Sequence, residues 1–129
     1  MKKLIIPVII VTALVLTLPV SAADANIDAD ILAAYIDGSG ARDLCTMTAV
    51  GAVLCNRVNS DSFTDSLTAN GASLGILPAS SPTPMARYAA RLVLDGVDPT
   101  FGALHAYAPD NVPDGVYVTL VTDAFAFGR

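Results

Sequence analysis

The spacing of apolar residues changes once along this chain, at Asp98–Pro99, and this change limits the fold more than any other feature. Before it, apolar residues recur every three or four positions, as on the buried face of a helix. After it they alternate with a period near 2, as in strands that bury one face. Helices followed by strands predict an α+β domain, and 129 residues leave room for only one.

Three helices are expected before the change. The first should begin after a cap at Asn26 or Asp28 and end near Asp37. Its buried side is predicted to contain Ile27, Ile31, Leu32 and Tyr35. The second, predicted to be the central helix, should start at Asp43 or Thr46. Its apolar stripe is Met47, Val50, Leu54 and Val58.

Gly51 in the second helix leaves room for another backbone to approach. Residues 59–83 are rich in Ser, Thr, Asn, Gly and Pro, which predicts a long, partly anchored loop. Pro84 suits the first turn of the third helix, and Asp95–Gly96 should end it. Its predicted buried stripe is Met85, Tyr88 or Ala89, and Leu92. Short strands near 104–108, 116–120 and 125–127 then predict a small antiparallel sheet.

The first 22 residues have the three-part order of an export signal. Met1-Lys2-Lys3 is basic, residues 4–20 are apolar, and small residues end at Ala22, where cleavage is expected. The domain is therefore predicted to cover residues 23–129, and the protein to be secreted to the cell wall or spore envelope. An uncleaved membrane anchor is the alternative, although the 17-residue apolar run is short for a spanning helix.

Charge and composition exclude several functions. The net charge is −5, which argues against a nucleic-acid surface. One His and two Cys without ligand-like spacing predict no metal site. No phosphate loop or dinucleotide motif is present, so no cofactor is expected. Cys45 and Cys55 would lie about 15 Å apart on one helix, too far for a disulfide.

Two segments resemble one protein family. Residues 49–60, AVGAVLCNRVNS, resemble the AVAAVILNRVxS segment of bacterial cell wall hydrolases of the spore cortex-lytic type. Residues 98–109, DPTFGALHAYAP, are similar to that family's DPTGGALYFYNP. The resemblance extends over residues 30–129. It implies a lysozyme-like domain that cuts peptidoglycan glycan strands with a single catalytic Glu.

That family's Glu belongs to a YxEARGE motif, to which residues 35–42, YIDGSGAR, correspond. All twelve acidic residues of this chain are Asp, so no Glu can occupy the position. Without a gap the catalytic position falls on Gly38. With one extra residue before Met47, it falls on Asp37, which is therefore the candidate catalytic acid. The alternative is that Asp37 is a solvated carboxylate at a helix end.

The candidate substrate-binding residues are Tyr35, Asn56, Arg57, His105 and Tyr107. Arg57 has a structural alternative, an ion pair with an Asp. His105 could donate to glycan or act as an acid/base, and its structural alternative is a surface or hydrogen-bonded strand residue. Of Tyr35, Phe101 and Tyr107, at least two are expected to fill the core.

A periplasmic structural protein of unrelated function would require the family resemblance to be accidental. Two further functions remain open from the sequence. The first is an exported hydrolase that cleaves glycan strands as a lytic transglycosylase or muramidase. The second is a catalytically inactive relative that binds wall glycan or a protein partner, such as an accessory wall protein.

Overall fold

The computed structural model of this protein describes residues 27–129. The predicted signal segment and its cleavage site at Ala22 lie outside these residues. The described part forms four α-helices followed by a three-stranded sheet, so the α+β class and the order of elements are confirmed. The elements are α1 Ala29–Gly38, α2 Leu44–Val58, α3 Leu67–Ser73, α4 Pro84–Leu94, β1 His105–Tyr107, a 3₁₀ turn Pro109–Asn111, β2 Val118–Val121 and β3 Ala126–Gly128.

The sheet is antiparallel in the order β1-β3-β2. Phe127 of the central strand lies opposite Ala106 on one side and Leu120 on the other. The Phe127 side chain is fully buried and joins the core that the helices form. The sheet is thereby attached to the helical part through its central strand.

Each helix begins at a residue whose side chain accepts a hydrogen bond from a backbone N–H of the first turn. These caps are Asp28, Asp43, Ser66 and Thr83. Asp43 accepts from both the N–H and the hydroxyl of Thr46, at 2.8 Å each. Hydrogen bonding from Thr46 lowers the pKa of the Asp43 carboxyl. The starts predicted for the first two helices each had the correct cap among their two alternatives, and Pro84 lies in the first turn of α4, as predicted.

Helix α2 is the central helix, as predicted, and most of its length is buried. Gly51 lies where α1 and α4 pack on it. A Cβ at this position would come within 2.8 Å of Ile36 Cδ1 and 3.0 Å of Val93 Cγ2. A close approach at Gly51 is therefore present, but the prediction that a backbone makes it was wrong, because side chains of Ile36 and Val93 do so.

Three sequence expectations about the helices were wrong. Residues 59–83 contain a helix, α3, whose buried Leu67 and Asn70 hold it on the domain. Ile31 is exposed. On α4 only Ala89 of the predicted stripe is buried, because small residues let that helix lie close to α1 and α2. Its buried residues are Ala86, Ala89, Ala90 and Val93, whereas Met85 and Tyr88 face outward.

Cys45 is exposed and Cys55 is buried on the same helix, and no disulfide joins them, as expected. Among residues 27–129, no helix combines the length and the apolar character that a membrane span requires.

We expect Asn70→Ala to destabilise the protein. The Asn70 side chain is buried and donates to the carbonyls of Thr64 and Ser66, at 2.8 and 2.9 Å. Its loss should lower the free energy of unfolding by roughly 1–3 kcal/mol in urea denaturation. Thr68→Ala, at an exposed position of the same helix, is the control and should change it by less than about 0.5 kcal/mol. Equal effects of both variants would contradict this role of Asn70.

Candidate functional site

The C-terminal turn of α2 carries two side chains that reach the segment after Asp98. The amide Nδ2 of Asn56 donates to Asp98 Oδ2 at 3.1 Å and to the carbonyl of Ala103 at 3.0 Å. The neighbouring Arg57 donates from Nε to the carbonyl of Leu104 at 2.6 Å. Both predicted glycan-binding residues therefore connect the central helix to the start of β1.

Asp98 organises the loop that Asn56 contacts. Its carboxylate accepts from the N–H and hydroxyl of Thr100, at 2.8 and 2.6 Å, and from the N–H of Gly102 at 2.9 Å. Between them, Phe101 has a φ of 55°, in the left-handed region, and its side chain is 73% exposed. The hydrogen bonds of Asp98 thus fix this loop with the Phe101 ring exposed to solvent.

Arg57 is the most buried charged side chain of this region, with 5% exposure. Besides the Leu104 carbonyl, it contacts the Ser73 hydroxyl at 3.4 Å and His105 Nδ1 at 3.2 Å. Its guanidinium carbon lies 4.4 Å from the centre of the Phe63 ring. Neutral groups therefore surround this cation.

The expected alternative for Arg57, an ion pair with an Asp, is wrong. Within residues 27–129 the one ion pair joins Arg87 and Asp30, and it is at the surface. Asp98, the nearest acidic residue in the loop, is held by Asn56 instead. Burial lowers the pKa of Arg57, against a smaller opposite effect of Tyr107. A guanidinium nevertheless stays protonated in proteins, so the site keeps a positive charge.

His105 completes this site on β1. Its ring stacks on Tyr107 at 5.7 Å between centroids and meets the edge of Phe63 at 5.9 Å. Burial, and then the charge of Arg57, lower the pKa of His105 below its ordinary value of 6.5. The imidazole is therefore neutral at pH 7.

Asp37, the candidate acid, occupies the last turn of α1 and is partly exposed. Its Oδ2 accepts from the backbone N–H of Thr83 at 3.2 Å. Thr83 is the cap residue of α4. The carboxylate therefore links the end of one helix to the beginning of another.

The alternative catalytic position, Gly38, has no space for a side chain. A Cβ there would overlap the carbonyl oxygen of Leu77 and lie 3.2 Å from the backbone nitrogen of Ala79. The N–H of Ala79 donates to the Ala34 carbonyl at 2.9 Å, which holds this segment on α1. Backbone therefore covers the position that the gapless alignment assigns to the acid.

Tyr35 packs against α3. Its ring is buried against Gly71 of α3, where an added Cβ would overlap it. It also lines a groove of about 420 Å³ between α1, α3 and the segment before α4. The other residues lining this groove are Asp30, Ile31, Ala34, Thr68, Pro78, Ala79, Ser80, Pro82 and Arg87. Asp37 and Arg57 are not among them.

The structure thus brings together four of the six predicted site residues: Asn56, Arg57, His105 and Tyr107. The expectation that two of three aromatic residues fill the core was wrong, because Tyr35 is buried whereas Phe101 is exposed and Tyr107 half-buried.

Sequence reasoning did not assign Phe63, Ser73 or Asp98 to the site. Phe63 and Ser73 belong to residues 59–83, for which the sequence predicts a loop, and Asp98 begins the segment DPTFGALHAYAP. Among residues 27–129, no three His, Cys or Asp side chains gather as a metal site would require.

We expect acid to destabilise the protein through His105. Because its folded pKa lies below 6.5, the unfolded chain takes up a proton first as the pH falls. The stability that neutral His105 contributes is complete above about pH 7 and is lost progressively as the pH falls from about 6.5 through the lower folded pKa. Urea denaturation at pH 7.5 and 5.0 should show a smaller drop in His105→Gln than in the unaltered protein. Identical drops would contradict the shift, since this is the chain's only His.

Comparison with known proteins finds similarity at the level of structure. No protein-family model and no curated protein matches the chain. The catalytic domain of Bacillus cereus SleB is similar with a TM-score of 0.67 and 23% identity, over 78% of this chain and 88% of that one. That of the germination-specific lytic transglycosylase SleB from Bacillus anthracis gives 0.61 and 22%, over 82% and 98%. This chain therefore has the fold of the SleB catalytic domain, as the sequence resemblance predicted.

Proposed function

We propose that this protein is an exported cell wall protein that binds the glycan strands of peptidoglycan without cleaving them by the glutamate chemistry of its family. The fold supports glycan as the ligand, since one similar structure is a lytic transglycosylase. The two family-like segments, NRV and DPTFGAL, support it further because they meet in one site. A neutral ring stack and a buried cation there suit a polar, ring-shaped ligand.

The observation that carries this proposal is the closed position at Gly38. Glycosidic cleavage needs a proton donor at the leaving oxygen. Leu77 and Ala79 backbone atoms fill the space that a side chain at position 38 would need. The chain has no Glu to place elsewhere. This protein can therefore bind a glycan without the catalytic acid that the family uses.

A second candidate is cleavage with Asp37 as the acid. It is favoured by one observation, namely that Asp37 is partly exposed beside the closed position, on the same helix end. A lytic transglycosylase needs only one acid, because the sugar's own 6-hydroxyl attacks. Two points are against it. The Asp37 carboxylate already accepts from the Thr83 N–H. An Asp side chain is also one methylene shorter than Glu, and a displacement of the acid near 1 Å costs about 100-fold in rate.

We expect Gly38→Ala to destabilise the protein, because its Cβ would displace the Leu77–Ala79 backbone. The free energy of unfolding should fall by roughly 1–3 kcal/mol in urea denaturation. Helix propensity alone predicts the opposite sign, a gain of about 1 kcal/mol for Gly→Ala. A more stable variant would therefore show that the position is open and would remove the main support for the proposal.

Sedimentation with insoluble peptidoglycan and mass spectrometry of the supernatant distinguish the two candidates. We expect the unaltered protein to co-sediment and to release no muropeptides. Tyr107→Ala should weaken co-sedimentation by roughly five- to tenfold, through loss of a stacking face. Asp61→Asn, an exposed loop change, is the control and should leave binding unchanged.

Two results would overturn the proposal. Release of 1,6-anhydromuropeptides by the unaltered protein, lost in Asp37→Asn and kept in Asp61→Asn, would establish the second candidate. Absence of both co-sedimentation and release would contradict glycan as the ligand.

A further inference from the structure

The hydrogen bond between Arg57 and His105 determines where the His105 proton lies. The guanidinium of Arg57 has donors only, so His105 Nδ1 must be the acceptor in their 3.2 Å contact. A neutral imidazole that accepts at Nδ1 carries its proton at Nε2. The ring therefore exists as a single tautomer.

The surroundings of His105 favour this tautomer from the other sides as well. The rings of Phe63 and Tyr107 pack against it, so its orientation is restricted. Arg57 is itself fixed by the Leu104 carbonyl and the Ser73 hydroxyl. Arg57 and Tyr107 are the ionisable side chains in contact with the imidazole. No carboxylate among residues 27–129 forms an ion pair with either Arg57 or His105.

The Nε2–H group has no hydrogen-bond partner among residues 27–129, and His105 is partly exposed. A donor held in one direction beside an aromatic face is the arrangement that recognises a carbonyl or hydroxyl oxygen of a sugar. An acid/base residue would need to gain and lose a proton instead, which the adjacent cation opposes.

We propose that Arg57 is a positioning residue that holds His105 as its Nε2–H tautomer, and that this N–H donates a hydrogen bond to an oxygen atom of the bound glycan. The inference rests on the proposed function for its ligand. The tautomer itself does not depend on it. His105 is thereby a binding residue that sets specificity for an acceptor atom.

Nitrogen-15 NMR of the imidazole tests the tautomer directly, since the chain has one His. At pH 7.5 we expect Nδ1 to be unprotonated and Nε2 to carry the proton. Arg57→Lys keeps the charge but loses the planar donor, and should yield a mixture of tautomers. Asp61→Asn, a change at an exposed loop position that contacts neither residue, is the control and should leave the single tautomer in place. A proton on Nδ1 in the unaltered protein would overturn the inference.

Adding a soluble tetrasaccharide fragment of peptidoglycan tests whether His105 Nε2–H donates to the glycan. We expect the Nε2–H signal to shift saturably, and His105→Phe, which keeps a ring, to bind roughly five- to tenfold more weakly. Circular dichroism checks that Arg57→Lys and His105→Phe are folded. If either is unfolded, the shift of the Nε2–H signal in the unaltered protein decides whether His105 donates to the fragment.

The two proposals fail in different ways. A fragment that shifts Tyr107 but leaves Nε2–H unchanged overturns the donor role and leaves glycan binding intact. A fragment that shifts neither residue contradicts the proposed function, whereas the single tautomer would still be observed. Binding that is equal in His105→Phe and the unaltered protein also overturns the donor role.

Discussion

The contact between the end of α2 and the segment that leads into β1 is the interaction on which the rest of this structure depends. Asn56 and Arg57 are adjacent in sequence, and both reach across nearly fifty residues to backbone carbonyls at Ala103 and Leu104. Buried carbonyls need donors, and a buried guanidinium needs acceptors. Each side of the contact therefore satisfies the other, and the helical part and the sheet are held in one orientation.

In this contact, the residues that stabilise buried Arg57 also position the residue that we propose binds glycan. Arg57 is buried without a carboxylate, which costs solvation energy unless its donors are occupied. Leu104, Ser73 and His105 supply acceptors, and Phe63 covers the guanidinium face. The same atoms that make the cation tolerable fix the imidazole that we propose contacts the glycan.

At the end of α1, backbone atoms cover the position where we propose that the catalytic acid is missing. The segment before α4 lies on the end of α1, where Ala79 bonds to Ala34 and Leu77 covers Gly38. The Asp37 carboxylate accepts a hydrogen bond from the backbone N–H of Thr83, the cap residue of α4. These contacts connect the end of α1 to the beginning of α4.

Local sequence signals determined the elements of this protein. The change of apolar period at Asp98–Pro99 predicted helices before strands, and cap residues such as Asp43 predicted where helices begin, because caps and periods act within a few residues. Helix α3 was missed because its short, polar sequence has no clear period, and burial of Leu67 and Asn70 by other elements stabilises it.

The tertiary structure alone decided the partners of the site. Sequence reasoning selected Asn56, Arg57, His105 and Tyr107, which do meet. The ion pair with an Asp that it offered as the alternative for Arg57 does not form among the described residues. It also placed Asp37 and Tyr35 with them, although Asp37 accepts from Thr83 and Tyr35 packs against Gly71. Residue types and local spacing restrict which chemistry a chain can perform. Which side chains share a site depends on contacts between residues far apart in sequence, and only the packing of the whole domain sets those.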